Sequence, residues 1–224
     1  MDRSADGILR RVRCYLSSFR IGNQPARLRR LVGTSVETAV IVNAVDADPT
    51  PVRQAKVEGE LEALSALGLR PDELDLRTFF DRPASIETHL GRYGLVWLRG
   101  GNVFMLRYAL HRSGADEALR RLLHKDALVY GGYSAGPCVL GPTISGFETT
   151  DDPSVVTDVY GADPLWSGMG IVDFVVVPHV DSPDHPESER LSDLAATFRA
   201  TGVRHQPLRD GEVVIIDGEN VTVR

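Results

Sequence analysis

Cysteine is nearly absent: the 224 residues hold only Cys14 and Cys138, too few for a disulfide framework and without the paired spacing of a zinc site. Both are expected to be buried thiols of a cytoplasmic protein. Long apolar runs are missing as well. No stretch reaches the about 18 residues of a membrane span, and Met1 to Arg13 lacks the apolar core of a signal peptide. There is no excess of positive charge. A formal net charge of −6 and a pI near 5.5 argue against nucleic-acid and anionic-membrane partners and favour a small, neutral or basic one. Repeats and low-complexity tracts are also lacking. What remains, 42% hydrophobic and 25% charged residues, is the composition of an ordinary folded protein rather than a disordered one. The length suits one α/β domain over residues 1–224, with 1–11 as an N-terminal extension. A homodimer is left open.

Apolar runs alternate with amphipathic stretches, the pattern of a mostly parallel central sheet with helices on both faces. Strands are expected at Val12 to Phe19, Thr38 to Val45, Gly94 to Arg99, Ala127 to Tyr130 and Ile171 to Val177, with a weaker one at Glu73 to Leu76. Helices are expected at Pro25 to Val32, Pro51 to Leu67, Ser85 to Tyr93, Val103 to Arg112, Asp116 to Lys125 and Pro186 to Ala200. Val213 to Val223 reads as a C-terminal β-hairpin turning near Asp217-Gly218. Between Thr143 and Ser167 the pattern lapses into polar residues, prolines and glycines, the mark of a long functional loop.

The sharpest motif is Gly132-Tyr133-Ser134-Ala135-Gly136. It follows an expected strand and precedes a helix start, where a G-x-S-x-G sequence forms a strained turn that exposes the serine. Flanking glycines are needed because side chains there would clash. Glycines that merely shape a β–α turn are the plainer explanation, so the serine needs a base. Of six histidines, His179 alone closes a convincing buried strand, where open α/β sheets place their ligands. A carboxylate must then orient the imidazole, and Glu148, Asp151, Asp152 and Asp181 all qualify. The Ala135 and Gly101 backbone amides are candidates to hold an oxyanion. Asn102 is expected to cap the following helix and, with Tyr133, to line the substrate site.

These residues resemble the dipeptidase E family, serine peptidases on a class I glutamine amidotransferase-like (flavodoxin-like) fold. The likeness spans nearly the whole chain: Tyr15-Leu16-Ser17-Ser18, Gly100-Gly101-Asn102-Val103-Phe104, the serine motif, Pro142-Thr143-Ile144, Thr149-Thr150-Asp151-Asp152 and Pro178-His179. The resemblance implies a Ser–His–Asp/Glu triad in that chain order, with Ser134 and His179 carried over directly. Its Thr-Thr-x-Asp match points to Asp152 as the acid, with Asp151 and Glu148 as rivals. It further implies cleavage of small peptides, aspartyl dipeptides among them, through an acyl-enzyme, without metal or cofactor. In the family an arginine beyond the histidine reads the aspartyl side chain. Here Arg190 stands nearby, but the neighbouring Glu189 would repel aspartate if it faced the substrate. Two other readings are an α/β-hydrolase-type esterase and a catalytically silent binding domain. The close spacing of acid and histidine behind Ser134 leaves little room for the esterase's intervening elements.

Overall fold

A computed structural model describes residues 12–224; the extension expected over 1–11 lies outside the described residues. The frame is a sheet whose parallel strands are β1 (Arg13–Ser17), β2 (Glu37–Ile41), β3 (Arg70–Glu73), β4 (Leu95–Leu98) and β5 (Val129–Tyr133). Strands β1, β2, β4 and β5 are buried almost throughout, as strands covered on both faces must be. Because successive side chains point to opposite faces, Cys14, Ala39, Val96 and Tyr130 enter one core. Tyr15, Val40, Trp97 and Val129 enter the other.

Helices α1 (Pro25–Val32) and α2 (Thr50–Ser65) close the second core. The first is covered by α3 (Ile86–Leu90), α4 (Val103–Arg112), α5 (Ala115–His124), α6 (Ala135–Cys138), α7 (Ser154–Tyr160) and α8 (Ser188–Thr201). Helix α1 begins on its proline and stops at Gly33, whose φ of 63° lies in the left-handed region. The hairpin is present as β8 (Val213–Asp217) and β9 (Asn220–Val223). Strand β8 pairs antiparallel with β1, so the sheet order is β3-β2-β4-β5-β1-β8-β9. This is the expected α/β architecture.

Three segments depart from expectation. The weak strand is shifted to β3, an edge strand that tolerates Pro71; Leu76 instead opens a 3-10 turn, Leu76–Phe79. The run from Ile171 is a strand only at β6 (Val175–Val177), which pairs in parallel with β7 (His205–Pro207) outside the main sheet. Ile171 and Val172 are buried, but their N–H groups donate to the Leu140 carbonyl rather than to a ladder. Within the polar loop, helix α7 forms, and a bridge between Thr143 and Ser167 closes the loop at its base.

Candidate active site

Strand β5 delivers Ser134 into a sparsely populated backbone conformation, φ 53° and ψ −112°, of the kind stored at functional turns at a cost of about 1–3 kcal/mol. The Ser134 N–H donates to the Ser17 and Ser18 carbonyls, both at 3.2 Å, which ties the elbow to the end of β1. The flanking glycines are required by contact. A Cβ on Gly132 or Gly136 would lie 2.5 or 2.8 Å from the same Leu98 carbonyl oxygen, and one on Gly100 would lie 2.8 Å from Ser134 Cβ. The end of β4 is thus pressed against the turn that carries Ser134.

His179 follows β6 and is buried, with φ 59°. Its N–H donates to Ser18 Oγ at 2.8 Å, and its Nδ1 lies 2.6 Å from Asp210 Oδ1. The same carboxylate oxygen accepts the Ser18 hydroxyl at 2.9 Å, while the Asp210 N–H donates to Ser182 Oγ at 2.8 Å. A carboxylate on Nδ1 selects the tautomer that leaves Nε2 unprotonated, the form a general base needs. Burial lowers the imidazole pKa, opposed by the bond to Asp210.

Ser134 and His179 line one cavity of about 630 Å³, with Gly101, Asn102, Tyr133 and Asp151 also in its wall. The Ser134 hydroxyl makes no hydrogen bond to the imidazole in this structure, a looseness common in hydrolases without substrate. Among the described residues, neither the Gly101 nor the Ala135 N–H has a hydrogen-bond partner. Gly101 has φ 143°, and a Cβ there would sit 2.7 Å from the Ala44 carbonyl oxygen, so only glycine fits. Asn102 caps α4, its Oδ1 accepting the Met105 N–H at 3.0 Å, and its Nδ2 donates to the Asp152 carbonyl at 2.9 Å. Tyr133 donates its hydroxyl to Glu60 at 2.6 Å.

The acids sort differently from the expectation. Asp152 is exposed and its carboxylate accepts the Ser154 N–H at 2.9 Å, away from the imidazole. Glu148 bonds the Gly146 N–H, and Asp181 pairs with Arg209. Asp151 lines the cavity and accepts the Val103 N–H at 2.7 Å. The group on His179 is Asp210, in the turn before β8. Locally, Asp210-Gly211 looks like any turn dipeptide. The chain order implied by the resemblance puts an acid after the histidine, which excludes Asp152 but does not choose among the several carboxylates beyond His179. Arg190 is exposed, bonds the Thr149 carbonyl at 3.3 Å and is not in the cavity wall; Glu189 is exposed as well.

The donor atoms of His179, His185 and Glu187 lie within 4.8 Å of one another. The two imidazoles are stacked, however, with centroids 3.5 Å apart and planes 3° from parallel. Nitrogen lone pairs lie in the ring planes, so no point lies in line with both, and this arrangement does not fit a shared metal ion.

Known proteins resemble this chain in sequence and in fold. The sequence profile described as Peptidase family S51 matches residues 48–224. An uncharacterized peptidase of Listeria monocytogenes is 29% identical over 168 residues, covering 75% of this chain and 77% of that one. Peptidase E of Streptomyces coelicolor is 30% identical over 132 residues, 57% of this chain and 51% of that one. Among solved structures, a protein described as peptidase E from Listeria monocytogenes EGD-e superposes with a TM-score of 0.75 at 23% identity, covering 95% of this chain and 98% of the other. A peptidase from an acI-B1 Actinobacterium gives a TM-score of 0.67 at 13% identity, covering 95% and 93%. The family profile spans most of the chain and the solved relatives share its fold, so the chain belongs to peptidase family S51, the dipeptidase E family of serine peptidases.

Proposed function

We propose that this serine peptidase opens small peptides through an acyl-enzyme on Ser134, with His179 as base and Asp210, rather than Asp152, as the acid that orients it. The observation that carries the reading is the 2.6 Å contact between Asp210 and a buried imidazole that shares a cavity with an elbow serine. His179 Nε2 takes the hydroxyl proton as Ser134 Oγ bonds to the scissile carbonyl carbon. The Gly101 and Ala135 amides receive the oxyanion. The imidazolium then passes its proton to the leaving amine as the C–N bond breaks, and water releases the acyl group by the same route.

Short peptides suit the charges in the wall. Arg20 and Arg99 line the cavity, as does Glu187, so the carboxylate and the ammonium of a zwitterionic dipeptide each find an opposite charge. Arg190, outside the cavity wall, holds neither end of the dipeptide. We place the protein in the cytoplasm, since both cysteines are buried free thiols and no helix among the described residues is long and apolar enough to cross a membrane.

The test is a dipeptide panel varying the first residue, aspartate included, read by mass spectrometry beside a p-nitrophenyl ester and a fluorophosphonate label. Ser134→Ala should lose turnover and labelling. Asp210→Asn should lower kcat by about 10³–10⁴-fold, because an amide favours the wrong imidazole tautomer, and Asp152→Asn should stay near the parent. Full activity in Asp210→Asn with loss in Asp152→Asn would overturn the assignment. Ester turnover with every dipeptide inert would favour the esterase, and an unlabelled, folded parent the binding domain.

A further inference from the structure

His185 is unassigned by the chemistry above, yet it covers the base. Its ring lies flat on His179, 3.5 Å between centroids and 3° from parallel. Phe19 meets both rings edge-on, at 5.9 Å from His179 and 5.7 Å from His185. The loop that carries His185 is itself built in. The His185 N–H donates to the Ser182 carbonyl at 2.8 Å, the Ser188 N–H donates to the His185 carbonyl at 3.1 Å, and Ser182 Oγ accepts the Asp210 N–H. His185 Nδ1 accepts the Glu187 N–H at 3.3 Å, which makes the neutral ring the Nε2–H tautomer.

A single bond at Nδ1 fixes one point of the His179 ring and leaves the ring free to turn about that contact. A second flat surface removes this freedom. We infer that His185 is a positioning residue for His179: its ring clamps the plane of the imidazole, so that the ring keeps one orientation in the cavity it shares with Ser134. This inference rests on the peptidase reading above. The charged groups around the pair are Asp210 at Nδ1, Glu187 within 4.8 Å of both rings, and Arg20, Asp151 and the Glu60-paired Arg99 in the cavity wall. Of these, only Glu187 is bonded to His185, through the N–H that His185 Nδ1 accepts, and both variants lose that bond alike.

The test compares His185→Ala with His185→Phe, both checked for fold by circular dichroism. In the alanine variant, kcat and the rate of fluorophosphonate labelling should fall by about tenfold to a hundredfold, as for a mildly misplaced catalytic group, with KM changing less. The flat, uncharged phenyl ring should restore most of both rates. In NMR titrations the His179 midpoint should rise in His185→Phe, because two stacked rings resist carrying two charges. An alanine variant as fast as the parent, a phenylalanine variant as slow as the alanine one, or an unmoved His179 midpoint would overturn the inference while leaving the peptidase reading intact. A folded parent that neither labels nor cleaves would instead overturn the peptidase reading, and this one with it.

Discussion

Asp151 lines the cavity, yet its carboxylate accepts the Val103 N–H and not a bond from the imidazole. Burial pushes its carboxyl up from 3.8 to about 7, against the Val103 N–H and with Glu187 adding to the rise. An acid whose pKa is raised by folding holds its proton more tightly in the native state. The resulting stabilisation is complete below the ordinary carboxylate range and is lost as pH climbs through about 7. Over that interval the protein should lose stability by up to about 1.4 kcal/mol per pH unit from this group alone. Asp151→Asn keeps an acceptor for Val103 and removes the titration. Urea unfolding at pH 5 and pH 8 should therefore show a smaller loss in the variant than in the parent, and equal losses would reject the account.

At the scale of elements, the site is a meeting of strand ends: β1 holds the Ser134 N–H, β4 presses against the serine, and β6 presents His179. Gly132 stands opposite Leu98 in the β4–β5 ladder, and a Cβ there would lie 2.5 Å from the Leu98 carbonyl oxygen. Gly132→Ala should cost about 1–3 kcal/mol through this overpacking and slow labelling of Ser134, because the elbow must move. Gly33→Ala meets no atom within 4 Å and should lose some stability through its backbone strain while labelling at the parent's rate. Matching labelling rates in the two folded variants would disprove the steric account. The G-x-S-x-G pattern was legible because such clashes are local to the turn. The limits of β3 and β6 were not, because an edge proline and a pair of buried apolar residues read alike in and out of a ladder.

For the molecule as a whole, a buried polar cluster links α2, which covers the second core, to α7, which covers the first. Asp46, whose side chain is fully buried, pairs with Arg53 of α2 at 2.7 Å and accepts Asn43 at 2.7 Å and Tyr160 of α7 at 2.6 Å. Arg53 also meets Glu73 at 2.8 Å. The same segment supplies the Ala44 carbonyl that accepts the Asn102 N–H at 2.9 Å and walls in Gly101. Arg53→Met removes the nearer of the two arginines that face Asp46, leaving Arg77 at 3.6 Å, and should cost about 3 kcal/mol, whereas Tyr160→Phe removes one hydrogen bond and should cost about 1 kcal/mol. Thermal unfolding that ranks the two variants the other way would show that the cluster is not what holds these layers.

The sequence by itself determined the layered α/β frame, the strained turn at Ser134, the helix cap at Asn102 and the position of the histidine behind a buried strand. Each is written in spacing or turn chemistry spanning a few residues: alternation sorts a strand's two faces, and small residues must flank a serine held in a strained turn. Only the tertiary structure decided which carboxylate meets the imidazole and what covers its face. Asp210 reaches His179 because β8 pairs with β1 and brings the turn before it to Ser18, a non-local closure that leaves no periodicity along the chain. His185 reaches the same ring through a loop whose shape depends on hydrogen bonds to that turn.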